Sequence, residues 1–302
     1  AEQNNIVRIC RAVEGLPLGL IIAAAQTLTE SCAEIASMLE NGTLIADAGA
    51  AGEARHASMV AVVGQTWNLL DAEHQRVLKQ LAVFSGGFDF EAARSVAGAR
   101  TTTLFELVNK SLVRAIGSDR FDLHQMLRGY LNGLLVDSDE IDALKDRHLY
   151  YYTDLCERAG QGLRTGEHVA WVQRLTHDLG NLRSALTWSL SSPGRAVHGL
   201  RLASAIMMYW RFELAAEGVY WLEHLQRAAA DVDAPAVLAY GHLVGGILKL
   251  LAGRSTDGVI DLRLALEWFD QVDDVTGASL TRATMIHALP AVGLQEEIPR
   301  HL

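Results

Sequence analysis

Along nearly the whole chain apolar residues recur at helical spacing, and over one short stretch, Leu112–Leu123, they alternate instead. Phe121 and Leu123 alternate with Arg120 and Asp122, and Gly117-Ser118-Asp119 supplies a turn before them. Leu112–Ile116 and Arg120–Leu123 therefore read as two strands of one hairpin. A period of 3.6 gathers side chains on one helix face, whereas a period of two places them on opposite faces. One hairpin set among helices predicts a mainly α fold.

The helices around the hairpin give the domain plan. Residues 2–14 and 17–40 read as helices, with Ile6, Ile9, Cys10 and Val13 on one face. Composition then shifts to Gly, Ala, Asp and Thr, which predicts a linker over 41–58. Helical spacing resumes at Met59, Val63, Trp67 and Leu70, and Asp71 is placed to cap the next helix. That helix carries an apolar stripe of Val77, Leu78, Leu81, Ala82 and Phe84, and Ser85-Gly86-Gly87 stops it. Phe88–Val96 and Thr103–Lys110 read as two short helices. After the hairpin a helix runs from about His124 to Val136, burying Met126, Leu127, Tyr130, Leu131 and Leu134. Three helices, a hairpin and a closing helix predict a winged-helix domain over 59–137.

Residues 138–302 read as helix throughout, punctuated by glycines and by Pro193, Pro235 and Pro290. Five of the six tryptophans lie there, best read as core pillars between stacked helices. Glu217-Gly218-Val219-Tyr220-Trp221-Leu222 has an echo forty positions on, Asp257-Gly258-Val259-Ile260-Asp261-Leu262. That interval predicts paired-helix repeats of the tetratricopeptide (TPR) kind, a TPR-like α-solenoid.

Composition excludes several functions. The net charge of −10 argues against a surface built for DNA or an acidic membrane. Cys10, Cys32 and Cys156 are odd in number and widely spaced, which fits a reducing cytoplasm and neither a disulfide framework nor a zinc site. Leu16–Ala25 imitates a signal peptide, but Glu14 and Pro17 interrupt it, and the apolar run near Leu243–Leu251 is broken by Lys249, so no membrane span is expected. No H-E-x-x-H or G-x-S-x-G motif is present. Asp270, Asp273 and Asp274 lack the glycine-centred pattern of a calcium loop. The eleven histidines show no pairing at metal-ligand spacing. No catalysis is expected from this chain.

A phosphate-cradling P-loop needs a lysine directly after a glycine. The four lysines, Lys79, Lys110, Lys145 and Lys249, follow Leu78, Asn109, Leu144 and Leu248, so no P-loop is present. The chain starts at Ala1, already in a helical pattern, and reads as a piece of a larger protein.

Gly15-Leu16-Pro17-Leu18 heads an apolar helix, with proline in the first turn, where its missing N–H costs nothing. This segment resembles the Gly-x-Pro motif of bacterial signal-transduction ATPases of the NB-ARC and STAND type, whose proline packs on adenine. Further stretches are similar to the same family, in order: Arg55-His56, Trp67–Asp71, Leu81–Phe88, Leu107–Val113, Trp171 and Asn181–Trp188. Leu123-His124-Gln125 resembles the family's Met-His-Asp motif, whose histidine contacts the β-phosphate of ADP, with Gln125 in place of the acid.

The resemblance implies that residues 1–40 are the tail of a helical subdomain of an NTPase module. The P-loop domain would lie in a full-length parent that binds ATP and ADP, while this chain alone would hold neither tightly. Gly15, Leu16, Pro17, Leu18 and His124 are the implied nucleotide contacts. The TPR-like array would receive a protein or small-molecule effector, and the parent would be a signalling ATPase or transcriptional regulator. Two alternatives stand beside it, a freestanding helical scaffold and a DNA-binding winged-helix factor. Against the latter, the expected recognition helix Thr101–Lys110 has a single base, Lys110, and also Glu106.

Overall fold

A computed structural model describes residues 2–12, 20, 23–24, 26–27, 30–40, 67, 70–117, 119–136 and 140–300. The chain is mainly α and divides into two compact units, residues 1–83 with 87–141, and residues 84–86 with 142–302.

The first unit begins with α1 (Glu2–Ala12) and α2 (Cys32–Glu40), which share a small apolar cluster of Ile9, Ala23, Ile35 and Ala36. The expected single helix over 17–40 is corrected here, because α2 has its own start. The Ser31 N–H and hydroxyl donate to Glu34 Oε2 at 2.9 and 2.7 Å, and the Glu34 N–H donates back to Ser31 Oγ at 3.3 Å. This reciprocal capping box satisfies amides that no preceding turn could serve.

Helix α3 (Ala72–Leu81) begins where expected, with the Asp71 carboxylate accepting the His74 N–H at 2.9 Å. Gly87 follows in the left-handed region at φ 84°, and a Cβ there would sit 2.8 Å from the carbonyl oxygen of Phe121. That close approach lets Phe88 pair with Phe121. The expected helix Phe88–Val96 is therefore corrected at its start. Phe88–Asp89 is strand β1, and α4 is Phe90–Ala97, capped by Asp89, which accepts the Ala92 N–H at 2.7 Å. Helix α5 (Thr101–Asn109) follows, then β2 (Arg114–Ile116) and β3 (Arg120–Asp122).

The sheet is antiparallel in the order β1-β3-β2, with Phe88 opposite Phe121 and Ala115 opposite Phe121 on the other side. The rings of Phe88 and Phe121 stack with centroids 6.1 Å apart. Helix α6 (Gln125–Val136) buries Leu127, Leu131 and Leu135 at successive i+4 positions. Leu135 takes the deeply buried place expected for Leu134, which is only half-buried. Glu73 of α3 accepts from Thr103 Oγ1 at 3.1 Å and is also paired with Arg100, tying α3 to the start of α5.

The second unit is helical throughout its described residues. In order it contains α7 (Ile141–Gly162), α8 (His168–His177), α9 (Leu179–Ser189), α10 (Pro193–Ala205) and α11 (Met207–Glu213). There follow α12 (Ala215–Ala229), α13 (Pro235–Leu251), α14 (Ser255–Gln271), α15 (Val275–Ala288) and two closing 3-10 turns, Leu289–Val292 and Gln295–Arg300. Pro193 and Pro235 open α10 and α13, as a residue with fixed φ and no N–H should. The largest interface joins α13 to α14, and α14 in turn packs on α15.

The sequence echo has a structural counterpart. Gly218 of α12 and Gly258 of α14 both lie where helices touch. A Cβ on Gly218 would meet Trp210 Cβ at 2.7 Å, and one on Gly258 would meet Leu250 Cγ at 2.9 Å. Trp210 is fully buried, with its indole N–H donating to the Ala203 carbonyl at 2.8 Å. Phe84 belongs to this unit, with its ring 5.5 Å from that of His148, which lies 4.7 Å from Tyr152.

Candidate functional site

Gly15, Leu16, Pro17 and Leu18 lie outside the described residues. His124 lies within them, one residue before α6 and half-buried. Its carbonyl accepts the Arg128 N–H at 2.9 Å, so it occupies the capping position of that helix. Asp122, at the end of β3, accepts the Leu123 N–H at 2.9 Å and pairs with the Arg128 guanidinium. Asp122 and Arg128 thus bracket His124, a setting that sequence reading missed. Its signal was the six-residue step from an acid to a base across a strand-to-helix junction.

The second unit carries a concave feature. A groove of about 420 Å³ is walled by Ala236, Tyr240, Val244 and Ile247 of α13, with Met207 of α11 and Leu280 of α15. A neighbouring hollow of about 660 Å³ shares Met207, Ile247 and Leu280, so the two form one apolar trough. Tyr240 and Leu280 remain 42% and 52% exposed although their surroundings are apolar. Polar groups are few. Ser204 Oγ is buried without a hydrogen-bond partner among the described residues. Arg201 is forked onto Glu157 at 2.9 and 3.0 Å. Arg164 and Arg211 also line the trough, with no carboxylate partner among the described residues. The Tyr240 hydroxyl donates to Asp274 Oδ2 at 3.0 Å, while Asp274 also caps α15 through the Gly277 N–H. Burial, then the bond to Asp274, raises the Tyr240 phenol above its ordinary pKa. An apolar trough of this size with a few fixed polar groups is the usual form of a small-molecule site.

A separate hollow of about 480 Å³ is polar. Lys249 of α13 is 7% exposed and donates to Asp261 Oδ2 of α14 at 2.7 Å, and Asp261 is itself 5% exposed. Glu223 of α12 lies 3.4 Å from Lys249 Nζ, and His242 Nδ1 lies 3.2 Å from Asp261 Oδ1. Burial alone would raise the Asp261 carboxyl. Hydrogen bonds from His242 and Lys249, with the lysine charge, outweigh it and hold the group below its ordinary range. The cluster ties three successive helices together by charge. No group of three or more His, Cys, Asp or Glu side chains suited to a metal ion occurs among the described residues.

Over 305 aligned positions the chain is 33% identical to a Mycobacterium tuberculosis protein named "Putative HTH-type transcriptional regulator", covering 94% of this chain and 33% of that protein. A Mycobacterium bovis protein of the same description matches equally. The chain is similar to part of these mycobacterial proteins. It spans about a third of their length. An uncharacterized protein of Mycobacterium tuberculosis is 35% identical over 157 positions, covering 48% of this chain and 40% of its own. Among solved structures, a Signal Transduction ATPase with Numerous Domains carrying a tetratricopeptide repeat sensor, from Pyrococcus horikoshii, aligns over 95% of this chain and 52% of its own. The TM-score is 0.35 and the identity 11%. No protein-family profile matches the chain. No helix among the described residues is long and apolar enough to cross a membrane.

Proposed function

We propose that this chain is the regulatory and sensor portion of a nucleotide-switched signalling ATPase that acts in transcriptional control. The observation that carries this reading is a single similarity running through both units to one longer protein named as a regulator. A freestanding scaffold would not be expected to match part of such a protein along nearly all of its own length. In this reading residues 72–136 form a winged helix, supported by the order α3-β1-α4-α5-β2-β3-α6 with β3 central. The helical array is the sensor, and a P-loop domain elsewhere in the protein holds ATP or ADP.

His124 is the proposed latch. A helix N-terminus offers unpaired N–H groups and a positive dipole end, both favourable to phosphate. A charge-assisted hydrogen bond from its imidazole would contribute about 1.5–3 kcal/mol, or about ten- to a hundredfold in ADP affinity. Exchange to ATP would release the winged helix, a two-state switch biased by ligand.

The relatives' name includes a helix-turn-helix, and we place DNA contact outside this chain. Helix α5 exposes Thr101, Thr102, Phe105, Glu106 and Asn109, with Lys110 just beyond. One base and one amide, beside an acid and an exposed phenyl ring, are a poor reader of base edges.

The test is nucleotide binding by the complete protein and by this chain, followed by titration calorimetry. The complete protein should bind ADP, and this chain should not bind it at micromolar concentration. Micromolar binding by the chain alone, or none by the complete protein, would overturn the reading.

A further inference from the structure

The trough in the helical array has a charge pattern that names its ligand class. Its body is apolar, from Tyr240, Val244 and Ile247 of α13 to Met207 and Leu280. Its charged lining is three arginines, Arg164, Arg201 and Arg211, against one acid, Glu157. This positive excess stands out in a chain of net charge −10. Arg201 is already held by Glu157, which leaves Arg164 and Arg211 as cations without a carboxylate among the described residues.

We infer that this trough binds a small amphipathic carboxylic acid. Its apolar body lies along α13 between Met207 and Leu280, and its carboxylate meets Arg164 or Arg211. Each of the two hollows, about 420 and 660 Å³, falls within the range of small-molecule sites. Arginine is the side chain best suited to a carboxylate, because its planar fork can donate two parallel hydrogen bonds. The inference rests on reading the array as the sensor, and it assigns the chemistry that the sensor responds to.

The probes are decanoate, decan-1-ol and decyltrimethylammonium, titrated calorimetrically into this chain below their micellar concentrations. Decanoate should bind at least tenfold more tightly than the alcohol, and the cation should bind more weakly still. The pair Arg164→Gln and Arg211→Gln should bring decanoate down to the affinity of the alcohol. Ala236 is exposed within the trough, so Ala236→Trp should block all three probes while circular dichroism stays unchanged.

Equal affinity for acid and alcohol, or no decanoate binding at millimolar concentration, would overturn the inference. So would decanoate binding that survives Ala236→Trp. A dimer in sedimentation that Leu280→Glu dissolves would assign the trough to a second copy instead. Capture by phosphatidylglycerol vesicles without binding of free decanoate would assign it to a lipid surface. Both results would overturn the acid. If decanoate binds here yet leaves ADP release from the complete protein unchanged, the pocket stands and the sensor reading alone fails.

Discussion

Replacing Lys249 by methionine tests whether the charge cluster of the array is an energetic unit. The ammonium of Lys249 is 2.7 Å from Asp261 Oδ2, and both residues are less than a tenth exposed. Methionine keeps most of the apolar stem and removes the charge. The loss is then dominated by what remains, a buried carboxylate whose strongest cation has gone. Breaking a buried pair on one side costs about 3–5 kcal/mol. Glu223 retains Arg254 at 2.7 Å, so its share of the loss is small. The assay is hydrogen exchange followed by mass spectrometry, because a chain of two units need not unfold in one step. Peptides from α13 and α14 should exchange at least about a hundredfold faster, the equivalent of about 3 kcal/mol. The double variant Lys249→Met with Asp261→Leu should recover most of this, since no charge is then left buried.

The pH dependence of the same variant has a definite sign. In the native protein Asp261 sits below its ordinary pKa. Its contribution is therefore complete above the unfolded value of about 3.9 and is lost as pH falls through the lower folded value. In Lys249→Met the hydrogen bond and charge of the lysine no longer oppose burial, and the expected result is a folded pKa above the unfolded one. The variant should then regain stability as pH drops from 7 towards about 5, where the native protein is flat with respect to this group. Exchange rates that match the native protein, or pH profiles that run parallel, would refute the coupling.

Other perturbations address separate parts of the molecule. His148 is 2% exposed, and burial depresses its pKa to about 4, so the unfolded chain takes up a proton first as pH falls. Stability of the second unit should drop between about pH 6.5 and about pH 4, by about 3 kcal/mol in all, and thermal melts of His148→Leu should lack that drop. Gly218→Ala would place a methyl 2.7 Å from Trp210 Cβ and should cost about 1–3 kcal/mol in urea titrations. Gly194→Ala, with nothing within 4 Å, should be neutral or slightly stabilising in the same assay. In the complete protein His124→Ala should speed ADP release by about tenfold or more in stopped-flow measurements, and an unchanged rate would remove it from the switch. Duplex DNA should show no salt-dependent retardation with this chain, and a steep salt slope would favour the DNA-binding alternative.

Sequence reading succeeded where the determinant is local. The Asp71 cap, the hairpin and the helices of the second unit each depend on a few neighbouring residues, and each is present. It missed two local signals that were in view. Ser31 and Glu34 have capping-box spacing, and Asp89 precedes an alanine-rich helix it can cap. In both cases a continuous apolar pattern outweighed a polar residue that ends or starts a helix. The error at Phe88 has the same origin. An aromatic residue next to a helix fits the helical stripe, and only the partner strand thirty-three positions away makes it a strand.

The trough and the charge cluster were hidden for a different reason. Periodicity identifies which face of a helix is apolar, but it does not tell whether another helix covers that face. Tyr240, Leu251 and Leu280 fit the apolar pattern as well as the buried Leu243 or Leu248, yet they remain 42%, 50% and 52% exposed. Their openness depends on how α11, α13 and α15 meet, and no single helix encodes it. Lys249 was visible as the break in an apolar run, while Asp261, twelve residues on in the next helix, stood out only as part of the repeat echo. Once paired, the two carry opposite lessons. Charges that find partners across helices hold the array together, whereas arginines that find none face the open apolar trough. An unpaired cation beside uncovered apolar surface gives an effector something to complete, and that is why the trough, and not the cluster, is the part of the array to test for a ligand.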